Sequence, residues 1–186
     1  MARKGSKLAK KEKDPLRLCP RCLRTSPHFR EKLWDAIKNG VISLVVSDHA
    51  PCTPELKDTS KVSLMSAWGG ISSVQFALSL MWTESRKRGF TLQDIVRLMS
   101  YGPAKLAKLD GKKGGIKAKY DADFVIWDPL KNYTVSTDMI QHKNKLTPYK
   151  GHHLFGLVKQ TIVRGKTVFK EGKVLAPLGS GHLLLD

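Results

Sequence analysis

The run from Val41 to Val46, VISLVV, narrows the fold more than any other part of the sequence. Its β-branched and apolar residues show no solvent-facing alternation, which predicts a strand buried on both faces, as in parallel sheets covered by helices. Before it lies PHFREKLWDAIKNG, where Phe29, Leu33, Trp34 and Ile37 share one helical face and Asn39-Gly40 provide a stop. A helix from His28 to Lys38 follows from that spacing. After the run comes the polar Ser47-Asp48-His49. A helix, a glycine turn, an apolar strand and a polar strand end form one unit of a parallel α/β sheet, whose ligands collect at strand carboxyl ends. Asp48 therefore stands where chemistry is expected, as a metal ligand, a general base or a structural cap.

Residues 51–66 are polar and turn-rich, and Gly69-Gly70 then lead into ISSVQFALSLMWTESRKRG. Ile71, Val74, Leu78, Met81 and Trp82 keep helical spacing there, and Gly89 closes a long packed helix. Thr91 with Asp94 three residues on makes a capping arrangement, and Gly102-Pro103 predicts a break between two short helices. Past Asp110-Gly111 the composition changes. ADFVIWDP, KNYTVST and LVKQTIVRGKTVFKEGKVL are rich in β-branched residues, with turns at Arg164-Gly165 and Glu171-Gly172. This half reads as β, with a boundary near residue 111, and the final GSGHLLLD reads as a frayed end.

A chain of 186 residues with 41% hydrophobic content suits one folding unit or a piece of a larger one. Its net charge of +17 points first to an acidic partner, and part of that charge sits in ARKGSKLAKKEKD, a segment too polar to form a core. Residues 1–14 read as a solvated arm, and a nucleic-acid-binding module rests on charge alone, without aromatic interleaving. Cys19, Cys22 and Cys52 make an odd count and no apolar segment follows the basic start, so the chain reads as intracellular, in the cytoplasm or in an organelle such as a peroxisome or mitochondrion. Cys19-Pro20-Arg21-Cys22 has zinc-knuckle spacing but lacks a second Cys/His pair. No apolar run is long enough to span a membrane.

Two motifs carry a resemblance: Ser47-Asp48-His49-Ala50-Pro51-Cys52 after the apolar run, and Trp68 to Phe76, WGGISSVQF. Together with TLQDIVRLMSYGPAKLAKL, KGGIKAKYDADFVIWDP, HKNKLTPYKG and VKQTIVRGKTVF in that order, the stretch from Phe29 to Val174 resembles the C-terminal part of allantoinases. These enzymes belong to the cyclic amidohydrolases, with dihydroorotases and hydantoinases as relatives. The resemblance implies an α/β fold: the C-terminal βα segments of a TIM-barrel metal-dependent hydrolase plus part of a small β-sandwich domain. On that reading residues 1–28 are a basic non-family start, 29–110 the last βα units of the barrel, 111–178 a β-rich segment and 179–186 a tail.

The same resemblance implies ring-opening hydrolysis of a cyclic ureide, allantoin to allantoate, by two divalent ions, normally zinc, that bridge a hydroxide. Asp48 matches the aspartate of the last barrel strand, which ligates one ion and shuttles the proton. The other ligands in such enzymes are an H-x-H pair, a carboxylated lysine and two further histidines. This chain contains no H-x-H, and none of its six histidines falls where those ligands stand. Cys52, Gly69 and Gly70 are expected at the substrate pocket, with packing as the alternative for the cysteine. Lys143, Lys145, Lys150 and His152-His153 are expected on a solvated connecting loop. With one metal carboxylate the chain is expected to be inactive alone, or to act as a catalytically dead remnant or isoform associating with itself or with a full-length subunit.

Overall fold

The computed structural model describes residues 27–58, 60 and 66–184. Helix α1, Pro27–Lys38, matches the predicted helix. Ile37 is buried and Trp34 packs beside it, but Phe29 and Leu33 on the same face are exposed. Gly40, with φ of 76°, turns the chain out of the helix.

The apolar run that follows is extended but is not the doubly buried strand that its composition predicts. Val41 is 80% exposed and Val46 62% exposed, and among the described residues the only ladder contact nearby is the parallel bridge between His49 and Ile71. The segment is held instead by single bonds: Ile42 N–H donates to Ala36 O at 3.1 Å, Val45 N–H to Leu98 O at 2.9 Å and Ala50 N–H to Ile71 O at 2.9 Å. Composition states what a strand buries when its neighbours are present. It cannot supply the neighbours.

The predicted helix after Gly69-Gly70 starts later than its apolar spacing suggests. Ile71 is taken up by the bridge to His49, so winding begins with a short 3-10 turn at Val74–Phe76. Helix α2, Ala77–Ser85, continues through another 3-10 turn, Arg86–Arg88, to Gly89, whose φ of 75° ends it. The capping box is present: Thr91 accepts from the Asp94 N–H, and the Asp94 carboxylate accepts from Thr91 N–H at 2.8 Å.

No break occurs at Gly102-Pro103. Helix α3, Leu92–Val96, runs through a π-helical turn, Arg97–Tyr101, into α4, Gly102–Leu106. In that wider turn Gly102 N–H bonds to Arg97 O. The next bond of the same kind would run from residue 103 to Leu98 O, but Pro103 has no N–H to give. Leu98 O is thereby left for Val45 N–H. Gly102 belongs to the same arrangement, because a Cβ there would lie 2.8 Å from both Leu44 Cβ and Ser43 O. The Gly-Pro pair brings the helix against the extended segment instead of ending it.

The remaining elements form an antiparallel meander, β1 Phe124–Thr134, β2 His153–Val163, β3 Lys166–Lys170 and β4 Lys173–Val174, in that spatial order. ADFVIWDP and KNYT, separate in composition, join into the single strand β1, with an irregular register between Asp128 and Asn132. There the Asp128 carboxylate accepts from the N–H groups of Leu130 and Lys131, each at 3.1 Å. Both predicted turns are found, with φ of 48° and 76° at Arg164-Gly165 and 48° and 83° at Glu171-Gly172. Positive φ at both central residues gives the twist that hairpin strands require.

Among the described residues two clusters form the core. Ile37, Met81, Trp82, Phe90, Ile95 and Leu98 join α1 to α2 and α3, with Trp127 and Phe155 of the sheet packed against them. Phe76, Val135, Ile140 and Leu154 join the start of α2 to the strand ends. Polar side chains tie the layers: Trp82 Nε1 donates to Pro129 O at 2.9 Å, and Ser79 Oγ to Gly156 O at 2.6 Å.

Candidate functional site

Three segments distant in sequence meet at the end of the extended run. The first is Ser47 to Cys52, the second Trp68 to Gln75, and the third Met139 to Tyr149. Ser73 joins the first two, its N–H donating to His49 Nδ1 at 3.0 Å and its hydroxyl to Ser47 O at 2.6 Å. Val74 N–H donates to the same His49 nitrogen at 3.2 Å. Trp68 Nε1 donates to Ala50 O at 3.2 Å. A Cβ on Gly70 would come within 2.5 Å of Ala50 Cβ and O, so only glycine lets the second segment lie this close to the first.

The third segment is held by side chains reaching to backbone. Thr147 Oγ1 donates to Ser72 O at 2.8 Å, Gln75 Nε2 to Met139 O at 2.7 Å, and Gln141 N–H to Gln75 Oε1 at 2.8 Å. It delivers His142 to His49, ring centroids 5.6 Å apart and planes inclined at 67°. Both ring nitrogens of His142 are buried and, among the described residues, neither reaches a hydrogen-bond partner of normal geometry. Burial lowers its pKa below the usual histidine range; the Asn144 backbone acts the other way, and the charges of His49 and Lys145 add to the lowering. Position in the sequence gave no reason to place His142 here. The residues that hold its segment, Gln75, Gln141 and Thr147, are scattered polar residues whose need for partners shows only once they are folded against backbone.

Asp48 is exposed, at the end of the extended run, with φ of 45°. A non-glycine residue in this region is held there by its surroundings, at a cost of about 1 kcal/mol or more. Here the bridge at His49 and the Ser47–Ser73 bond fix the chain on either side. His49 accepts two N–H bonds on Nδ1, so in its neutral form Nε2 carries the hydrogen. That tautomer offers a donor and no free lone pair, so His49 as placed is no metal ligand. Among the described residues no group of three or more His, Cys, Asp or Glu side chains could hold a metal ion.

Cys52 is buried, 7% exposed, and burial raises its pKa, with the charge of Lys57 opposing. It is therefore a packed thiol rather than a thiolate. Gly69 and Gly70 are half-buried between Trp68 and the bridge residue Ile71, and Gly70 lies against Ala50. Cys19 and Cys22, and the basic arm of residues 1–14, lie outside the described residues. Among the described residues, no helix is long and apolar enough to cross a membrane.

Comparison with known proteins decides the family. A profile of the amidohydrolase family matches residues 2–168. The chain belongs to the amidohydrolase family. It is 44% identical over 148 residues to a probable allantoinase 2 of Dictyostelium discoideum, covering 77% of this chain and 29% of that one. It is 41% identical over 157 residues to an allantoinase of Saccharomyces cerevisiae, covering 84% and 33%. Among solved structures, a D-hydantoinase from a Bacillus species superimposes with a TM-score of 0.83 at 27% identity, over 92% of this chain and 38% of that one. This amidohydrolase chain thus spans about a third of the length of the curated relatives it matches. Its helices against an extended run, followed by an antiparallel sheet, are the α/β part and the β part of that fold.

Proposed function

We propose that this chain is the C-terminal share of an allantoinase-type hydrolase, one that opens a cyclic ureide at a C–N bond. The observation that carries the reading is Asp48, a left-handed, exposed carboxylate at the end of the extended run, held between Ser47 and His49 by a neighbouring loop. Strain kept at a polar strand end is a mark of a working residue. In this role Asp48 takes a proton from the attacking water as the water oxygen bonds to the ring carbonyl carbon. It then gives that proton to the ring nitrogen as the C–N bond breaks. Gly69 and Gly70 bring backbone to the ring, and Cys52 supports the loop behind it.

A binuclear zinc centre, which the family resemblance implies, does not fit the described residues. Asp48 is one carboxylate, His49 has its Nδ1 engaged, and His142 lies against His49 with no acidic partner. The described residues by themselves therefore supply no such centre. Purified protein supplied with zinc is expected to hydrolyse allantoin no faster than Asp48→Ala does. In a chimera where residues 29–178 replace the matching part of the yeast relative, turnover is expected, and Asp48→Ala should lower it by roughly 10²–10⁴-fold. A folded chimera without turnover would refute the hydrolase reading.

A further inference from the structure

The loop that carries His142 is anchored on both sides. Ile140 before it and Thr147 after it are buried, and Lys145 Nζ donates to Ile140 O across the loop. The side chains of Ser73, Gln75, Gln141 and Thr147 around it each donate to a backbone carbonyl. Both ring nitrogens of His142, by contrast, are buried and, among the described residues, neither makes a hydrogen bond. Buried polar side chains are almost always paired, so an orphan in an anchored loop calls for a reason.

The chemistry of the ring selects its partner. Burial and the charges of His49 and Lys145 favour the neutral imidazole, which has one N–H and one lone pair. The Asn144 backbone opposes that lowering, as a carbonyl facing the ring does and an N–H facing it does not. The ring's own N–H is thus turned towards Asn144, and the lone pair is left over. His49 does not fill it, since the two rings meet edge to face with centroids 5.6 Å apart. Asp48 is the chain neighbour of His49 and is exposed, so a small ring held at its carboxylate comes within reach of His142 once the imidazole turns about its side-chain bonds. From this we infer that His142 is a substrate-binding residue of the Asp48 site, whose lone pair receives an N–H of a cyclic ureide and so orients the ring towards the Asp48 carboxylate. The inference takes the class of ring from the hydrolase reading above and adds a residue to it.

The test titrates the purified chain with hydantoin and with 1,3-dimethylhydantoin, the same ring without its N–H groups, and follows the histidine ring signals by NMR. Hydantoin should move the His142 and His49 signals saturably and bind roughly tenfold more tightly than its dimethyl form, the worth of one hydrogen bond. In His142→Ala the two ligands should bind alike, as read at His49, and His142→Asn, which keeps an acceptor, should restore part of the preference. A histidine that merely packs would weaken both ligands equally when replaced, and a preference set by the bulk of the methyl groups would survive its loss. Either result overturns the inference, as does the absence of a saturable shift at His142 in the parent chain. Turnover by the chimera described above with the preference kept in His142→Ala would sink this inference and leave the hydrolase reading standing. Binding as expected with a folded but idle chimera would do the reverse, so the two failures are distinct.

Discussion

Ser73 grips the first loop of the site twice, giving its N–H to His49 Nδ1 and its hydroxyl to Ser47 O, one bond on each side of Asp48. The carboxylate is thus set by its two neighbours, while Asp48 itself stays exposed. Conformation at Asp48 and bonding at Ser73 form one mechanical unit.

Replacing His49 with alanine removes the acceptor for two backbone N–H groups, those of Ser73 and Val74, and Ser73 is a buried residue. The expected loss is about 1–3 kcal/mol, the cost of leaving a buried donor unpaired. Urea denaturation measures it. Glutamine, whose Oε1 can accept, should recover part of the loss, whereas equal losses for both variants would deny the hydrogen-bond role.

Much of this site is legible in sequence because it is local. The order of apolar run and SDH places Asp48 at the end of an extended segment, and a glycine at position 70 permits a close backbone approach, which it makes to Ala50. Thr91 and Asp94, and the two glycine turns of the sheet, are equally local. What sequence hid depends on partners elsewhere. Composition alone cannot show that Val41 and Val46 stay exposed, nor that Pro103 frees a carbonyl for Val45 instead of stopping a helix. His142 is brought to His49 by bonds from Gln75 and Thr147, which have no signature of their own.

A relay of hydroxyls fastens α2 to the sheet: Tyr133 donates to Ser79 Oγ at 2.9 Å and Ser79 to Gly156 O at 2.6 Å. Ser79 is 2% exposed, so Ser79→Ala strands both Tyr133 and Gly156 O, at an expected cost of about 1–3 kcal/mol. Tyr133→Phe removes one end and should cost about 0.5–1.5 kcal/mol. The double variant should lose less than the sum, because the two share one bond. Strict additivity in denaturation experiments would show that no relay operates.

Gly102→Ala tests the contact between helix and extended segment. Its Cβ would meet Leu44 Cβ and Ser43 O at 2.8 Å, and a backbone oxygen cannot rotate away, so the two elements must separate. About 1–3 kcal/mol of stability should be lost. Gly115→Ala is the matched control, since nothing lies within 4 Å of its Cβ position and its φ is not positive. Calorimetric melts that fall equally for both would place the cost in the loss of glycine itself and not in the contact.

His142 gives the fold a pH dependence whose sign follows from its burial. Burial first, then the charges of His49 and Lys145, lower its pKa against the opposing Asn144 backbone, so the folded chain binds the proton less readily than the unfolded chain does. Stability from this group is complete above the unfolded value, about 6.5. As pH falls below that value the unfolded state gains protons that the folded state refuses, and stability declines until the lowered folded pKa is passed. His142→Asn removes the titration but keeps a polar group, smaller than the imidazole, beside His49. Denaturation midpoints from pH 7.5 to 5 should therefore slope less for the variant than for the parent. Parallel slopes would mean that His142 protonates as freely folded as unfolded, and that its nitrogens are not shut away from water.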